Sequence, residues 1–211
     1  MEVISLNQVS KSYRGKTLYR DVSFSITEGS IISIAGHNGS GKSVLFRLMC
    51  GFVAPDSGTI KINERFMSKK RTFPEKFGVL IDRPGFLANQ TGLRNLQQLA
   101  GIRGVIGDEE IRDVMSLLGL DPGAKQPVRQ YSLGMRQKLA LAQAIMEKPE
   151  VLLLDEPFNA LDHESAKQVR NLLLSLNSQG VTVVFTSHSE SDIQALAKER
   201  LEIVNGTIQS V

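Results

Sequence analysis

Residues 36–43 read Gly-His-Asn-Gly-Ser-Gly-Lys-Ser and fit G-x-x-x-x-G-K-[ST] at every fixed position. No other stretch limits the fold so tightly, because this pattern works only between a buried strand and a helix. Both flanks are present. Ile31-Ile32-Ser33-Ile34-Ala35 reads as a compact buried strand, and a helix is expected over residues 42–50. Glycines let the backbone wrap closely around phosphates and aim successive N–H groups inward. The helix that follows adds its positive end. Lys42 would place a cation on the outer phosphates, and the Ser43 hydroxyl can ligate Mg²⁺. The nucleotide contacts expected here are Gly36, His37, Asn38, Gly39, Ser40, Gly41, Lys42, Ser43 and Val44. His37 and Asn38 fill variable positions, so their side chains carry no assigned chemistry.

A second acidic element lies more than a hundred residues downstream. Val151-Leu152-Leu153-Leu154 is an apolar strand ending in Asp155-Glu156-Pro157. A carboxylate at the C-terminal end of a buried parallel strand points into the crevice where α/β folds hold nucleotides. Asp155 is placed to hold Mg²⁺ directly or through water. Glu156, one residue on, can polarise an attacking water as general base. An apolar run ending in two acids is weak evidence by itself. Its value comes from the phosphate loop.

Between these elements the pattern changes. The opening third alternates strands (residues 2–9, 21–26, 31–35 and 59–62) with turns at residues 27–30 and 55–58. From about Pro84 to Lys148 the spacing is helical. Leu93, Leu96, Leu99 and Ala100 mark one helix, and Ile111, Val114, Met115 and Leu118 a second, which stops at Gly119. Ser132 caps a third over residues 133–147. Strands return at residues 151–154 and 181–186, joined by a crossover helix over residues 168–176. The expected organisation is one α/β domain: a core of residues 1–82 and 149–211 with a mostly parallel sheet, interrupted by a helical subdomain at residues 83–148.

Bulk composition excludes several classes. With 41% hydrophobic residues in 211, the chain can bury a core. Its net charge of +3 is spread rather than gathered in a block, so no nucleic-acid partner is expected. The single cysteine, Cys50, permits no internal disulfide and suits a reducing cytosol. Cys50 itself reads as a buried core residue. The first residues lack the basic and apolar regions of a signal peptide, and no window approaches a membrane helix. Membrane association would have to come through a partner.

Tyr131-Ser132-Leu133-Gly134-Met135, followed by Arg136-Gln137-Lys138 and an alanine- and leucine-rich helix, resembles the LSGGQ signature of ABC ATPases. Its distance from Asp155 is similar to that family's. Tyr13 stands where the family has an aromatic that stacks on adenine, Asn159-Ala160-Leu161-Asp162 resembles the D-loop, and His188 resembles the switch histidine. The competing readings are an ordinary half-buried aromatic for Tyr13 and a structural strand-end histidine for His188. The resemblance runs through nearly the whole chain. It implies a P-loop NTPase core with an antiparallel β lobe near the N-terminus and the helical subdomain inserted. It also implies that two cassettes sandwich two ATP molecules, each between one subunit's phosphate loop and the other's Ser132 and Gly134. Glu156, His188 and Lys42 would then be catalytic, and Ser43, Asp82 and Asp155 would serve Mg²⁺.

Three positions depart from the family pattern. Asp82 replaces its glutamine before the helical insert, Leu133 replaces the first signature glycine, and Met135 replaces the signature glutamine. These variants look like the subfamily exporting bacitracin-type and lantibiotic-type peptides, although that subfamily often has a C-terminal extension and this sequence stops soon after Ile208. The leading expectation is an ATP-hydrolysing transporter motor, held on the inner face of the membrane by a separate transmembrane permease. A soluble ABC ATPase acting in iron–sulfur cluster assembly is the alternative. A non-hydrolysing ATP-binding dimer is disfavoured by the presence of Glu156.

Overall fold

The computed structural model describes all residues except Arg14, residues 69–72 and residues 83–84. Strands β1 (Glu2–Tyr13), β2 (Lys16–Thr27) and β4 (Ser57–Ile62) form an antiparallel sheet in the order β2-β1-β4. A six-stranded sheet holds β3 (Ile31–Ala35), β5 (Phe77–Leu80), β6 (Val151–Leu154), β7 (Thr182–Phe185), β8 (Glu199–Val204) and β9 (Thr207–Ser210). Its order is β5-β6-β7-β3-β8-β9, parallel except for the β8–β9 hairpin at one edge.

The central strands are apolar at almost every position because both faces are covered. Alternate side chains enter different cores. Ile31, Leu152, Leu154, Val183 and Phe185 face a cluster that includes Leu96, Met115, Leu139 and Leu173. Ile32, Ile34, Val151, Leu153 and Val184 face the other, with Phe46, Met49 and the antiparallel lobe's Ile4, Tyr19 and Ile26. The sheet therefore separates the two halves of the molecule while belonging to both.

Among the described residues six α-helices complete the fold: α1 (Lys42–Met49), α2 (Gly92–Arg103), α3 (Asp108–Leu117), α4 (Leu133–Ile145), α5 (His163–Ser178) and α6 (Glu190–Leu196). Side-chain caps set four of their starts. Thr91 accepts from Arg94 N, Ser132 from Met135 N, Asp162 from Ser165 N and Ser189 from Asp192 N. Helices α2, α3 and α4 pack on one another between β5 and β6 in chain order, and α4 also packs on β5. Arg83 and Pro84, where the insert was expected to begin, lie outside the described residues.

Several boundaries differ from the sequence expectation. The turn expected at residues 55–58 gives way at Ser57, where β4 begins. Gly58, at φ +81°, lies so close to β1 that an added Cβ would sit 2.2 Å from the Gln8 carbonyl oxygen. Close pairing, rather than chain reversal, explains that glycine. The crossover helix starts at His163, because Asp162 caps a first turn whose polar residues hide its period. No helix among the described residues is long and apolar enough to cross a membrane.

Candidate functional site

Strand order brings the chemistry together. The phosphate loop follows β3 and Asp155 follows β6, and β7 lies between those two strands. Thr186, the residue after β7, consequently reaches sideways: its Oγ1 donates to Asp155 Oδ1 at 2.7 Å. The other carboxylate oxygen of Asp155 accepts from Ser43 Oγ, at the start of α1, at 2.5 Å. One carboxylate thus joins the ends of three elements. Two hydroxyls and a carboxylate, all hard oxygen donors, converge beside the phosphate loop.

The loop is held from beneath. Tyr19, fully buried in β2, donates its hydroxyl to the Gly41 carbonyl at 2.5 Å. Gly41 stands at φ +105°, and a Cβ there would meet Tyr19 Oη at 2.4 Å. Only glycine suits both demands. Burial pushes the Tyr19 phenol well above its ordinary pKa, so it remains a donor. Lys42 Nζ, largely buried, donates to Gly36 O at 2.8 Å and approaches His37 O at 3.5 Å. Its ammonium crosses the mouth of the loop. His37 Nδ1 lies 2.9 Å from Asn38 O, a bond that requires the proton on Nδ1. Ser40 Oγ is buried in the loop without a hydrogen-bond partner among the described residues.

Glu156 adopts φ +52°, uncommon for a residue with a side chain. Its N–H donates to Thr186 Oγ1 at 2.7 Å, and His188 Nε2 stands 3.1 Å from its Oε1. Burial raises the Glu156 carboxyl above its ordinary pKa and Asp155 adds to that rise, while His188 and Lys42 pull it back. The elevation suits a group that must take a proton.

Tyr13, Asn38, Gly39, Lys42, Ser43, Val44, Asp155, Glu156 and His188 line one open cleft of about 380 Å³. Tyr13 is half exposed at its rim. Ser132 and Gly134 do not join them. They border a separate opening with Ala160, Asp162 and Ser165, at the exposed start of α4. Asp82 takes a third position. At φ +60° it lines a cavity of about 300 Å³ with Phe86, Leu133, Gln137, Asp155 and Glu156, and its carboxylate pairs with Arg47 of α1. That hydrogen bond raises the Arg47 pKa above its ordinary value.

Sequence reasoning missed four contributors. Thr186 lay inside a motif read only for its histidine. Tyr19 follows Leu18 without alternation and falls before the strand expected over residues 21–26. Arg47 sits one turn beyond Ser43 with nothing local to mark it. Gln137, whose Nε2 donates to Glu156 O at 2.9 Å and Pro157 O at 3.0 Å, follows the signature without a distinguishing pattern.

The family model described as ABC transporter matches residues 19–159, from the strand beneath the phosphate loop to the loop after Glu156. The chain belongs to the ABC transporter family. It is an ATP-binding cassette and an ATPase of that type. YybJ of Bacillus subtilis strain 168, an uncharacterised ABC transporter ATP-binding protein, is 35% identical over 208 residues, spanning 99% of this cassette and 95% of YybJ. The bacitracin transport ATP-binding protein BcrA of Enterococcus faecalis is 34% identical, with 92% of the cassette matched to 64% of BcrA. The lantibiotic transport ATP-binding protein SrtF of Streptococcus pyogenes is 31% identical, covering 92% and 84% of the two chains. Among solved structures, the dimeric post-hydrolysis state of the cassette MJ0796 bound to ADP and Pi superposes with a TM-score of 0.87 at 23% identity, covering 99% and 97%. The doubly lobed ABC fold is therefore shared.

Proposed function

We propose that this cassette is the motor of a membrane transporter, dimerising around two ATP molecules and driving a separate transmembrane permease. The observation that carries the reading is the split between two openings. The phosphate loop, Asp155, Glu156 and His188 share one cleft, whereas Ser132 and Gly134 face out at another with no wall in common. A nucleotide held by one copy leaves its outer face for the signature end of a second copy. The start of α4, with its positive helix end, offers what a γ-phosphate requires.

Within each half-site the roles follow from position. Tyr13 stacks on the base. Backbone N–H groups of residues 36–43 and the Lys42 ammonium hold the phosphates. Ser43 and Asp155 fit Mg²⁺, since they supply the one hydroxyl and one carboxylate that this ion takes alongside phosphate oxygens. Bound there, the ion neutralises phosphate charge. Asp82 borders the same region, with Arg47 competing for its carboxylate. Glu156 accepts the proton of the attacking water, and His188 stands at the side of its carboxylate, 3.1 Å from Oε1.

The permease surface we assign lies where the insert meets the core. A groove of about 340 Å³ runs between Arg103, Gln143 and Glu147 of the insert and Phe77 of the core. Phe52 and Phe73, each 49% exposed, meet edge to face at 5.1 Å on its border. Contiguous exposed apolar surface favours an interaction site, and this pair extends the groove's apolar border. The substrate class we assign is an exported peptide or peptide antibiotic, from the named relatives BcrA and SrtF. On this reading the cassette works at the cytoplasmic face of the membrane, held there by its permease.

Glu156→Gln tests the assignment. It should retain ATP binding and slow hydrolysis by roughly 10²–10⁴-fold, the worth of a general base. With ATP and Mg²⁺, the variant should recover a multi-span membrane protein in stoichiometric amount from solubilised membranes of its native cells. Near-normal turnover would remove Glu156 from the role. Recovery of iron–sulfur assembly proteins alone would leave the ATPase standing and overturn the transport claim.

A further inference from the structure

We infer that Gln137 is a positioning residue that holds the backbone of Glu156 in its catalytic conformation; this rests on the reading of Glu156 as general base. Glu156 stands in the left-handed region at φ +52°, a conformation that persists only where the surroundings over-determine it. Two side chains do so. Thr186 Oγ1 accepts its N–H at 2.7 Å from the β7 side. From the opposite side, Gln137 Nε2 donates to the Glu156 carbonyl at 2.9 Å and to the next carbonyl, Pro157 O, at 3.0 Å.

The residue after Glu156 gives this donor its place. Pro157 has no N–H, so at this corner the chain presents successive carbonyl oxygens. Glu156 O also accepts from Asn159 N at 3.2 Å; the Gln137 bonds to Glu156 O and Pro157 O are shorter. Gln137 gives its donors to the loop rather than to its own helix. Its placement is firm because α4 meets the same loop a second time. Gly134 packs so tightly that an added Cβ would lie 2.9 Å from Ala160 O. Further along, Leu141, four residues beyond Gln137 and on the same face, is buried in the core. The Glu156 carboxylate is therefore aimed through its backbone, by a side chain bonded to the loop's carbonyls.

Two variants test the inference. Gln137→Leu removes both donors while keeping side-chain size. Gln137→Glu keeps the shape but sets a carboxylate against two carbonyl oxygens. Each should lower kcat roughly 10- to 100-fold, as expected when a reacting group is misplaced by about an ångström. KM and the affinity for a fluorescent ATP analogue should stay within about twofold of wild type, because no phosphate contact is lost. Wild-type kcat in both variants, with Glu156→Gln inactive, would overturn the role of Gln137. So would kcat, KM and melting temperature all worsening together, which marks a purely structural glutamine. Full turnover by Glu156→Gln itself would instead sink the base assignment, a different failure read in the same assay.

Discussion

Single residues here do more than their local sequence announces. Cys50 is the simplest case: it was expected in the core, and burial pushes its thiol up to about 12. An ordinary thiol titrates near 8.5, so in the folded cassette the reactive thiolate is scarce at neutral pH. Ellman's reagent should find no thiol per native chain at pH 7.5 and one after unfolding; prompt native labelling would contradict the burial. The sign of the linkage also follows. The neutral thiol contributes stability in full below its unfolded pKa, and that contribution is lost as pH rises from there toward about 12. Asp82 is less simple. Its position before the insert was legible in the sequence, but its partner Arg47 lies on α1 and only folding reveals it. Both side chains are substantially exposed, so the pair contributes no more than about 0–1 kcal/mol. It is weak enough to open when the carboxylate is needed elsewhere.

At the scale of elements, α4 carries the most. Its start is the signature, its second turn pins Glu156, and its end lies against β5. That last contact depends on Gly78, where an added Cβ would fall 2.0 Å from the Ala144 carbonyl oxygen and 2.7 Å from Leu152 Cδ2. Gly78→Ala would have to push helix and strand apart. It should cost about 1–3 kcal/mol, the range for overpacking a core, measured by urea denaturation. It should also lower ATP turnover, since the displaced helix carries Gln137. A variant as stable as wild type would show that α4 shifts freely. The elements themselves were unevenly legible. The phosphate loop, β6 and α4 could be read because pattern, cap and flank agree at each. Four-residue β5 could not, as Phe-Gly-Val-Leu has no room for a period and its glycine weakens the strand signal. Strand β8 begins Glu-Arg, and its burial comes only from pairing with β3 and β9. Helix α6 spans seven residues, too few to display a helical face.

For the whole molecule, the decisive property is that the site is divided. A motif scan finds every part of an ATPase in one sequence, but the fold puts Ser132 and Gly134 at a different opening from Lys42. Nothing in linear order distinguishes a signature that closes on its own nucleotide from one that closes on a neighbour's; the two separate openings favour the second arrangement. If two copies complete each other, loss of one half should be repairable by a partner lacking the other half. Lys42→Ala removes the phosphate cation. Gly134→Asp puts negative charge at the positive end of α4, where the tight contact with Ala160 leaves little room for a side chain. Each variant alone should be nearly inactive. An equal mixture forms about half mixed dimers by random association, and each has one intact composite site, so about a quarter of wild-type turnover should appear. A cassette that completes its own site cannot be rescued in this way, because neither chain would ever hold both working halves. Turnover that stays absent on mixing, with mixed dimers demonstrated by differential tagging, would reject the shared-site arrangement while leaving the phosphate loop and its chemistry intact.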